Sequence, residues 1–202
     1  MSGGIDRYTK LLLHLDGVND GTTFVDSSDY NHTITRNTTV TKTAISKFGG
    51  SSAYFNGTNS YLNFGSSSDY GFGTGAFALD FWFYRLRSNV QEALLNSWAD
   101  HHATDNWYMF LSSSNKLSCY PKGYQLGLGP LLTGETSITL NIWHHVAATF
   151  DGLVYRIFLD GLLDSYSSLF PGSNLDQPIG HYHLLLHLLA LSLQSVKVYL
   201  CL

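Results

Sequence analysis

The sequence predicts an all-β protein, an antiparallel β-sandwich of the jelly-roll type. Asp-Gly and Asn-Gly pairs, the strongest hairpin signals in a sequence, punctuate the chain at positions 16–17, 20–21, 56–57, 151–152 and 160–161. The short apolar runs between them show no amphipathic helical pattern. Aromatic residues make up 14% of the chain and charged residues only 13%, which favours strands over helices and excludes intrinsic disorder.

The apolar runs give the predicted strands in chain order. They are Lys10–Leu15, Ser52–Asn56, Tyr61–Phe64, Phe77–Tyr84, Trp107–Ser112, Lys116–Tyr120, Trp143–Phe150 and Val154–Leu159. In the run 77–84 the residues alternate between two faces. Phe77, Leu79, Phe81 and Phe83 should form the core face, and Ala78, Asp80, Trp82 and Tyr84 the outward face. The outward face therefore carries more large apolar groups than a solvated face needs.

At about 150 residues per domain, a chain of 202 residues fits one all-β domain. We expect a single domain over residues 1–202, with residues 1–9 as an N-terminal arm and Ser195–Leu200 as the closing strand. Residues 181–191 are atypical, because their six leucines cannot all face one core in either a short helix or a strand. Either the outward sheet face or a neighbouring subunit should cover them, and we expect a homo-oligomer.

Composition excludes several classes of protein. The net charge is −4 with only 11 lysines and arginines spread along the chain, so we expect no nucleic-acid partner. The run 181–191 is shorter than the ~20 residues that span a bilayer, and Met1–Arg7 does not resemble a secretory signal. Cys119 and Cys201 do not form a disulfide framework, and their redox state is left open.

Four blocks lie in order over residues 10–165. They are Lys10–Gly17 with Thr23–Ser28, Lys47–Gly57 with Ser60–Leu62, Phe77–Tyr84, and Trp143–Gly152 with Phe158–Gly161. Together they resemble the laminin-G-like branch of the concanavalin A-like lectin/glucanase jelly rolls, a fold that hosts lectins, glycosidases and adhesion modules. The opening resembles stand-alone modules of bacteriophage structural proteins. The resemblance implies a place on the surface of a phage virion, on a tail fibre, tail tip or capsid, among other virion subunits.

The carboxylates argue against catalysis. A retaining glycosidase needs two carboxyl groups ~5.5 Å apart. Glu92 and Glu135 are isolated from each other along the chain, and the outward positions beside Asp80 hold Ala78 and Trp82. We expect a protein without enzymatic activity, with a glycoside hydrolase as the remote alternative.

The resemblance also implies a structural calcium site between the first and last strands. Asp16 and Asn56 match two of the oxygen-ligand positions, but Gln194 stands where an acidic residue is expected. Because calcium prefers carboxylate oxygens, the implied calcium site is a weak one.

A binding surface is the remaining interpretation. Aromatic rings stack on the apolar faces of sugars, and a large exposed apolar patch marks an interaction site. The candidate carbohydrate-binding residues are Trp82, Tyr84, Trp98, Trp107 and Tyr124. The alternative at each position is packing: Trp107 in the core, or Trp82 beneath a loop. We expect a lectin-like domain that binds a host-surface or environmental glycan, with structural docking between virion subunits as the alternative function.

Overall fold

The computed structural model describes residues 7–65, 76–96, 108–120, 132–168 and 194–201, and their regular structure is β-strand throughout. Its strands are β1 (Thr9–Leu12), β2 (Thr35–Asn37), β3 (Val40–Lys42), β4 (Ser52–Tyr54), β5 (Tyr61–Asn63), β6 (Phe77–Tyr84), β7 (Glu92–Asn96), β8 (Tyr108–Leu111), β9 (Lys116–Tyr120), β10 (Leu132–Ser137), β11 (Trp143–Phe150), β12 (Val154–Leu159), β13 (Leu162–Ser168) and β14 (Gln194–Cys201). The all-β prediction is confirmed. Strands β2, β3, β7, β10 and β13 were not predicted, because most are short or polar and lack a continuous apolar run.

The larger sheet has eight strands in the order β13-β12-β11-β6-β14-β4-β3, with β1 also paired to β14. Strands β6 and β11 pair antiparallel along their full length, from Tyr84 opposite Trp143 to Phe77 opposite Phe150. The predicted turn at Asp160-Gly161 joins β12 to β13, and both of its residues have positive φ, 50° and 83°. Positive φ at both central residues is what a two-residue hairpin of type I′ requires, and it explains the Asp-Gly pair.

The closing strand β14 runs parallel to each of its three partners, β1, β4 and β6, within an otherwise antiparallel sheet. Strand β13 ends at Ser168 opposite Val154, and β14 begins at Gln194 opposite Phe77. These two positions lie at the same end of the sheet, because Phe150 pairs with both Phe77 and Tyr155. Strand β14 therefore begins at the end of the sheet where β13 stops, and it runs in the same direction as β6.

The core lies between this sheet and a four-stranded antiparallel sheet of order β10-β9-β8-β7. The predicted core face of β6 is confirmed, since Phe81 and Phe83 are fully buried while Trp82 and Tyr84 are only partly buried. Buried side chains of the smaller sheet complete the core, among them Met109, Leu111, Leu117, Cys119 and Leu132. Two apolar sheet faces packed in this way form a β-sandwich, as expected for a jelly roll.

A buried carboxylate fastens the first strand to the turn that follows it. Asp26 Oδ1 accepts hydrogen bonds from the backbone N–H groups of Leu12 at 3.0 Å and Ser28 at 2.9 Å. Its Oδ2 accepts bonds from Ser28 Oγ at 2.8 Å and the His32 N–H at 2.9 Å, and lies 2.8 Å from His32 Nδ1. Burial alone disfavours ionisation, but the N–H groups of Leu12, Ser28 and His32 outweigh it and lower the pKa of Asp26.

Residues 181–191 lie outside the described residues, so their covering and the homo-oligomer expected from it stay predictions. The side chain of Cys201 is also outside the description. Cys119 is a buried free thiol whose pKa burial raises to about 12. No helix among the described residues has the length and hydropathy to cross a membrane.

Candidate functional site

Partly exposed aromatic rings cluster on the outward face of the larger sheet. Trp82 on β6 lies opposite His145 on β11, and their ring centroids are 5.0 Å apart. Phe48 approaches Trp82 edge-on at 5.9 Å, and Lys47 Nζ lies 4.1 Å from the centre of the Trp82 ring. Trp82 is therefore held between the sheet and the loop that precedes β4, and the residue is partly exposed.

A second aromatic pair extends this surface along the same two strands. Tyr84 and Trp143 are opposite each other, with ring centroids 5.6 Å apart in an edge-to-face arrangement. We call the surface formed by Phe48, Trp82, Tyr84, Trp143 and His145 the aromatic face. Phe48 is 53% exposed, and the other four are partly buried. Four of these side chains project from the same face of β6 and β11, and Phe48 packs against Trp82 from the loop.

A polar pair borders the aromatic face. His145 Nε2 lies 2.9 Å from Asp80 Oδ1, and Asp80 remains partly exposed. The neighbouring His144 points to the opposite side of β11, where it bonds Asp160 Oδ2 at 2.8 Å and the Thr139 carbonyl at 3.0 Å. The two adjacent histidines thus lie on opposite faces of the sheet, as the alternation of side chains along a strand requires. The face can thus offer a ligand both ring surfaces and hydrogen-bonding groups.

Sequence reasoning identified two members of the aromatic face, Trp82 and Tyr84, and missed the other three. Trp143 and His145 occupy alternate positions on β11, a signal visible in the sequence, but their apposition to β6 depends on strand register. Phe48 lies in a loop with no periodic pattern. The predicted site residues Trp98, Trp107 and Tyr124 lie outside the described residues, and they stay predictions.

The structure separates two of the three calcium ligands that the resemblance implies. Asn56 follows β4, whose Tyr54 pairs with Cys201 at one end of β14, whereas Gln194 begins β14 at the other end. Seven residue steps at ~3.3 Å separate those ends by about 23 Å, while calcium ligands lie about 2.3–2.6 Å from the ion. The parallel pairing of β14 thus holds Gln194 away from Asn56, and the calcium site that the resemblance implies stays a prediction.

The structure also shows the surroundings of Asn56 and Asp16. Asn56 Oδ1 accepts hydrogen bonds from the N–H groups of Thr58, Asn59 and Ser60, which commits it to stabilising a turn. Asp16 packs against Gly49, where an added Cβ would lie 1.9 Å from Asp16 Oδ1. Over the described ranges, no three His, Cys, Asp or Glu side chains are grouped closely enough to hold a metal ion.

The glutamates have separate environments. Glu92 on β7 receives the guanidinium groups of Arg85 and Arg87 on its two carboxylate oxygens. Glu135 is exposed on β10, in the smaller sheet. The register neighbours of Asp80 are Ala147 on β11 and Lys197 on β14, so neither adjacent strand places a second carboxylate beside it.

Comparisons with known proteins agree with this architecture. A search of curated proteins finds no match. Among solved structures, domain 4 of AbnA, a GH43 extracellular arabinanase from Geobacillus stearothermophilus in complex with arabinotriose, is 16% identical with a TM-score of 0.51, over 72% of this chain and 70% of that one. The botulinum neurotoxin serotype C1 binding domain is 16% identical with a TM-score of 0.53, over 80% of this chain and 39% of that one.

Identities this low show a shared fold. The family evidence is more specific, because the Laminin_G_3 model, described as the concanavalin A-like lectin/glucanases superfamily, matches residues 56–180. That match covers more than half of the chain and includes strands β5 to β13. The chain therefore belongs to the concanavalin A-like lectin/glucanase superfamily, through its Laminin_G_3 family.

Proposed function

We propose that this domain is a non-catalytic carbohydrate-binding module that holds a glycan against the aromatic face. The observation that carries the proposal is the preformed pairing of Trp82 with His145 and of Tyr84 with Trp143 on an outward sheet surface. Ring faces complement the apolar C–H faces of sugars, and Asp80 beside His145 offers an acceptor for hydroxyl groups. The arabinotriose complex of the arabinanase domain, a fold relative, supports this class of ligand.

The lack of catalysis is part of the proposal. Both oxygens of Glu92 are engaged by arginines, and Asp80 has no carboxylate at the register positions beside it. These residues therefore do not supply the acid and the nucleophile ~5.5 Å apart that a retaining glycosidase needs. Purified protein should release no reducing sugar from laminarin, agarose or carrageenan. Hydrolysis abolished by Asp80→Asn would contradict this part of the proposal.

A glycan array with the purified protein, with and without calcium, tests the binding function. We expect selective binding to a group of glycans, and a loss of about tenfold or more in affinity in Trp82→Ala, equivalent to ~1.4 kcal/mol. Tyr166→Ala is the matched control, because Tyr166 is an aromatic residue on the edge strand β13 that is 69% exposed and lies outside the aromatic face. Equal affinity of wild type and Trp82→Ala for every bound glycan would contradict the proposed site.

We place the module on the surface of a bacteriophage virion, where its ligand is a host-surface or environmental glycan. The support is the resemblance of the opening, Lys10–Gly17 with Thr23–Ser28, to modules of phage structural proteins. Genes for capsid, tail or portal proteins beside the gene for this chain would support that location. A neighbourhood of unrelated metabolic genes would contradict it.

Docking to another subunit is a second candidate function, favoured by the edge of the larger sheet. Within the described part of the chain, β13 is the edge strand of that sheet. Its side chains Leu162, Leu163 and Tyr166 are 75%, 48% and 69% exposed. An edge strand with apolar side chains is a template for pairing with a second copy of the same strand. Sedimentation velocity should then show a dimer that Leu162→Lys dissociates and Trp82→Ala does not. A wild-type monomer at micromolar concentration would exclude this docking mode.

A further inference from the structure

An open cleft of about 220 Å³ lies between the turn after β4 and the segment that leads into β7, and its described lining shares no residue with the aromatic face. Its walls include an aromatic ring, two hydroxyls, an amide and an ion pair, contributed by Phe55, Thr58, Ser60, Gln91, Arg87 and Glu92. The volume is below the range of about 300–1,000 Å³ that is typical of pockets for drug-sized ligands. The cleft therefore suits a single sugar ring better than a chain of sugars.

One wall of the cleft is a rigid turn. Asn56 Oδ1 accepts the N–H groups of Thr58 at 2.9 Å and Ser60 at 3.2 Å, which fixes the loop between them. Gly57 in this turn has a φ of +68°, and a Cβ there would lie 2.0 Å from Arg87 Nη2. Only glycine lets the Arg87 guanidinium lie directly against the turn. The cleft is thus shaped before any ligand binds, which reduces the entropic cost of binding.

The opposite wall carries a surplus of positive charge. Glu92 Oε2 accepts a bond from Arg85 Nε at 2.9 Å, and Oε1 accepts bonds from Arg87 Nε at 3.0 Å and Nη2 at 2.7 Å. Two guanidinium groups thus share one carboxylate, and this cluster has a net charge of +1. Arg85 is fully buried, whereas the side chain of Arg87 is 47% exposed. The unbalanced charge is therefore presented to solvent through Arg87.

Arg87 retains hydrogen-bonding capacity toward the cleft. Its Nε and Nη2 bond Glu92, and its Nη1 donates to no other group in the described part of the chain. Among the residues that the structure describes, no carboxylate other than Glu92 lines the cleft. A carboxylate is a strong acceptor for a guanidinium edge of this kind. The hydroxyl of Thr58 and the amide of Gln91 also line the cleft and can form hydrogen bonds with the neighbouring hydroxyls of a sugar.

We propose that this cleft binds a sugar acid, with the carboxylate of the sugar on Arg87 and the ring against Phe55. The inference rests on the proposed carbohydrate-binding function and adds a second subsite that selects acidic glycans. A glycan that also touched the aromatic face would be held at two places, and the cleft would decide whether it must be acidic.

Methyl β-D-glucuronide and methyl β-D-glucoside form the probe pair, because they differ only in the carboxylate. Chemical-shift titration of the folded full chain should show the glucuronide binding at least tenfold more tightly, with an affinity that falls as salt is added. Arg87→Gln should abolish the preference. Arg36→Gln, the same change of charge at an exposed arginine outside the cleft, should retain it. Gly57→Ala should weaken glucuronide binding without any change in charge, because the new Cβ displaces the guanidinium.

Each outcome either supports or overturns the inference. Equal binding of glucuronide and glucoside, or an undiminished preference in Arg87→Gln, would overturn it. Acetate binding as tightly as the glucuronide would reduce the cleft to an unspecific anion site and also overturn it. The result is separable from the proposed function: Trp82→Ala tests neutral glycans at the aromatic face, and it should leave the glucuronide preference intact.

Discussion

Replacing Asp26 with asparagine should destabilise the fold strongly, although the change removes no volume. The carboxylate accepts two bonds at Oδ1 and three at Oδ2 while almost fully buried. An asparagine carbonyl can still serve the N–H groups of Leu12 and Ser28. Its amide nitrogen, however, would face the N–H of His32, and because both groups are donors the hydrogen bond would be lost.

The magnitude follows from these bonds. A buried N–H left without an acceptor costs about 1–3 kcal/mol, and the partly buried His32 N–H falls at the lower end of that range. Bonds to a charged acceptor contribute about 1.5–3 kcal/mol against 0.5–1.5 for neutral ones, so those from Leu12 and Ser28 each weaken by about 1 kcal/mol. These effects are not fully additive. We expect Asp26→Asn to lower the free energy of unfolding by about 3 kcal/mol.

Urea unfolding of wild type, Asp26→Asn and the control Asp29→Asn measures this difference. Asp29 is exposed in the same turn, so the control removes the same charge and should change stability by less than about 0.5 kcal/mol. Because folding lowers the pKa of Asp26, its contribution is complete above the unfolded value of about 3.9. The contribution is lost as pH falls through the lower, folded value.

The difference in the free energy of unfolding between wild type and Asp26→Asn should therefore be constant from about pH 7 to about pH 5 and become smaller toward pH 3. A gap below about 1 kcal/mol near neutral pH would refute the bond-by-bond reasoning. A gap that stays unchanged down to about pH 3 would show that the ionised carboxylate is not its origin.

Other variants test the core, the buried ion pair and the thiol. Phe81→Ala empties a fully buried site and should lower the free energy of unfolding by about 3–5 kcal/mol. Trp82→Ala on the outward face should lower it clearly less. Urea unfolding measures both, and the reverse order would contradict the assignment of the two faces. Glu92→Gln leaves the buried Arg85 guanidinium without its counter-charge and should lower the free energy of unfolding by about 3–5 kcal/mol in the same assay. Stability close to that of the wild type would show that the ion pair is not needed for the fold. Cys119 should resist iodoacetamide in the folded protein, because burial raises its thiol pKa to about 12, and should react once the chain is unfolded; rapid labelling of folded protein, read by mass spectrometry, would contradict its burial.

The sequence alone determined those features that depend on residues close together in the chain. The alternation over 77–84 assigned Phe81 to the core and Trp82 to the outward face, because a strand repeats every two residues. The Asp160-Gly161 pair determined a hairpin, because few residues adopt positive φ at both turn positions without strain. The block order along the chain also indicated the family that the Laminin_G_3 match establishes.

Tertiary structure alone decided which of these local features meet. Strand register brought His145 to Trp82, and a loop distant in sequence added Phe48 to the aromatic face. The same non-local pairing set the direction of β14 and so separated Gln194 from Asn56. The cleft at Arg87 likewise required the turn at Gly57 to approach a different strand segment. A period of two specifies the face on which a side chain lies, but the partner across the sheet depends on strand order and register, which emerge only when the chain packs as a whole.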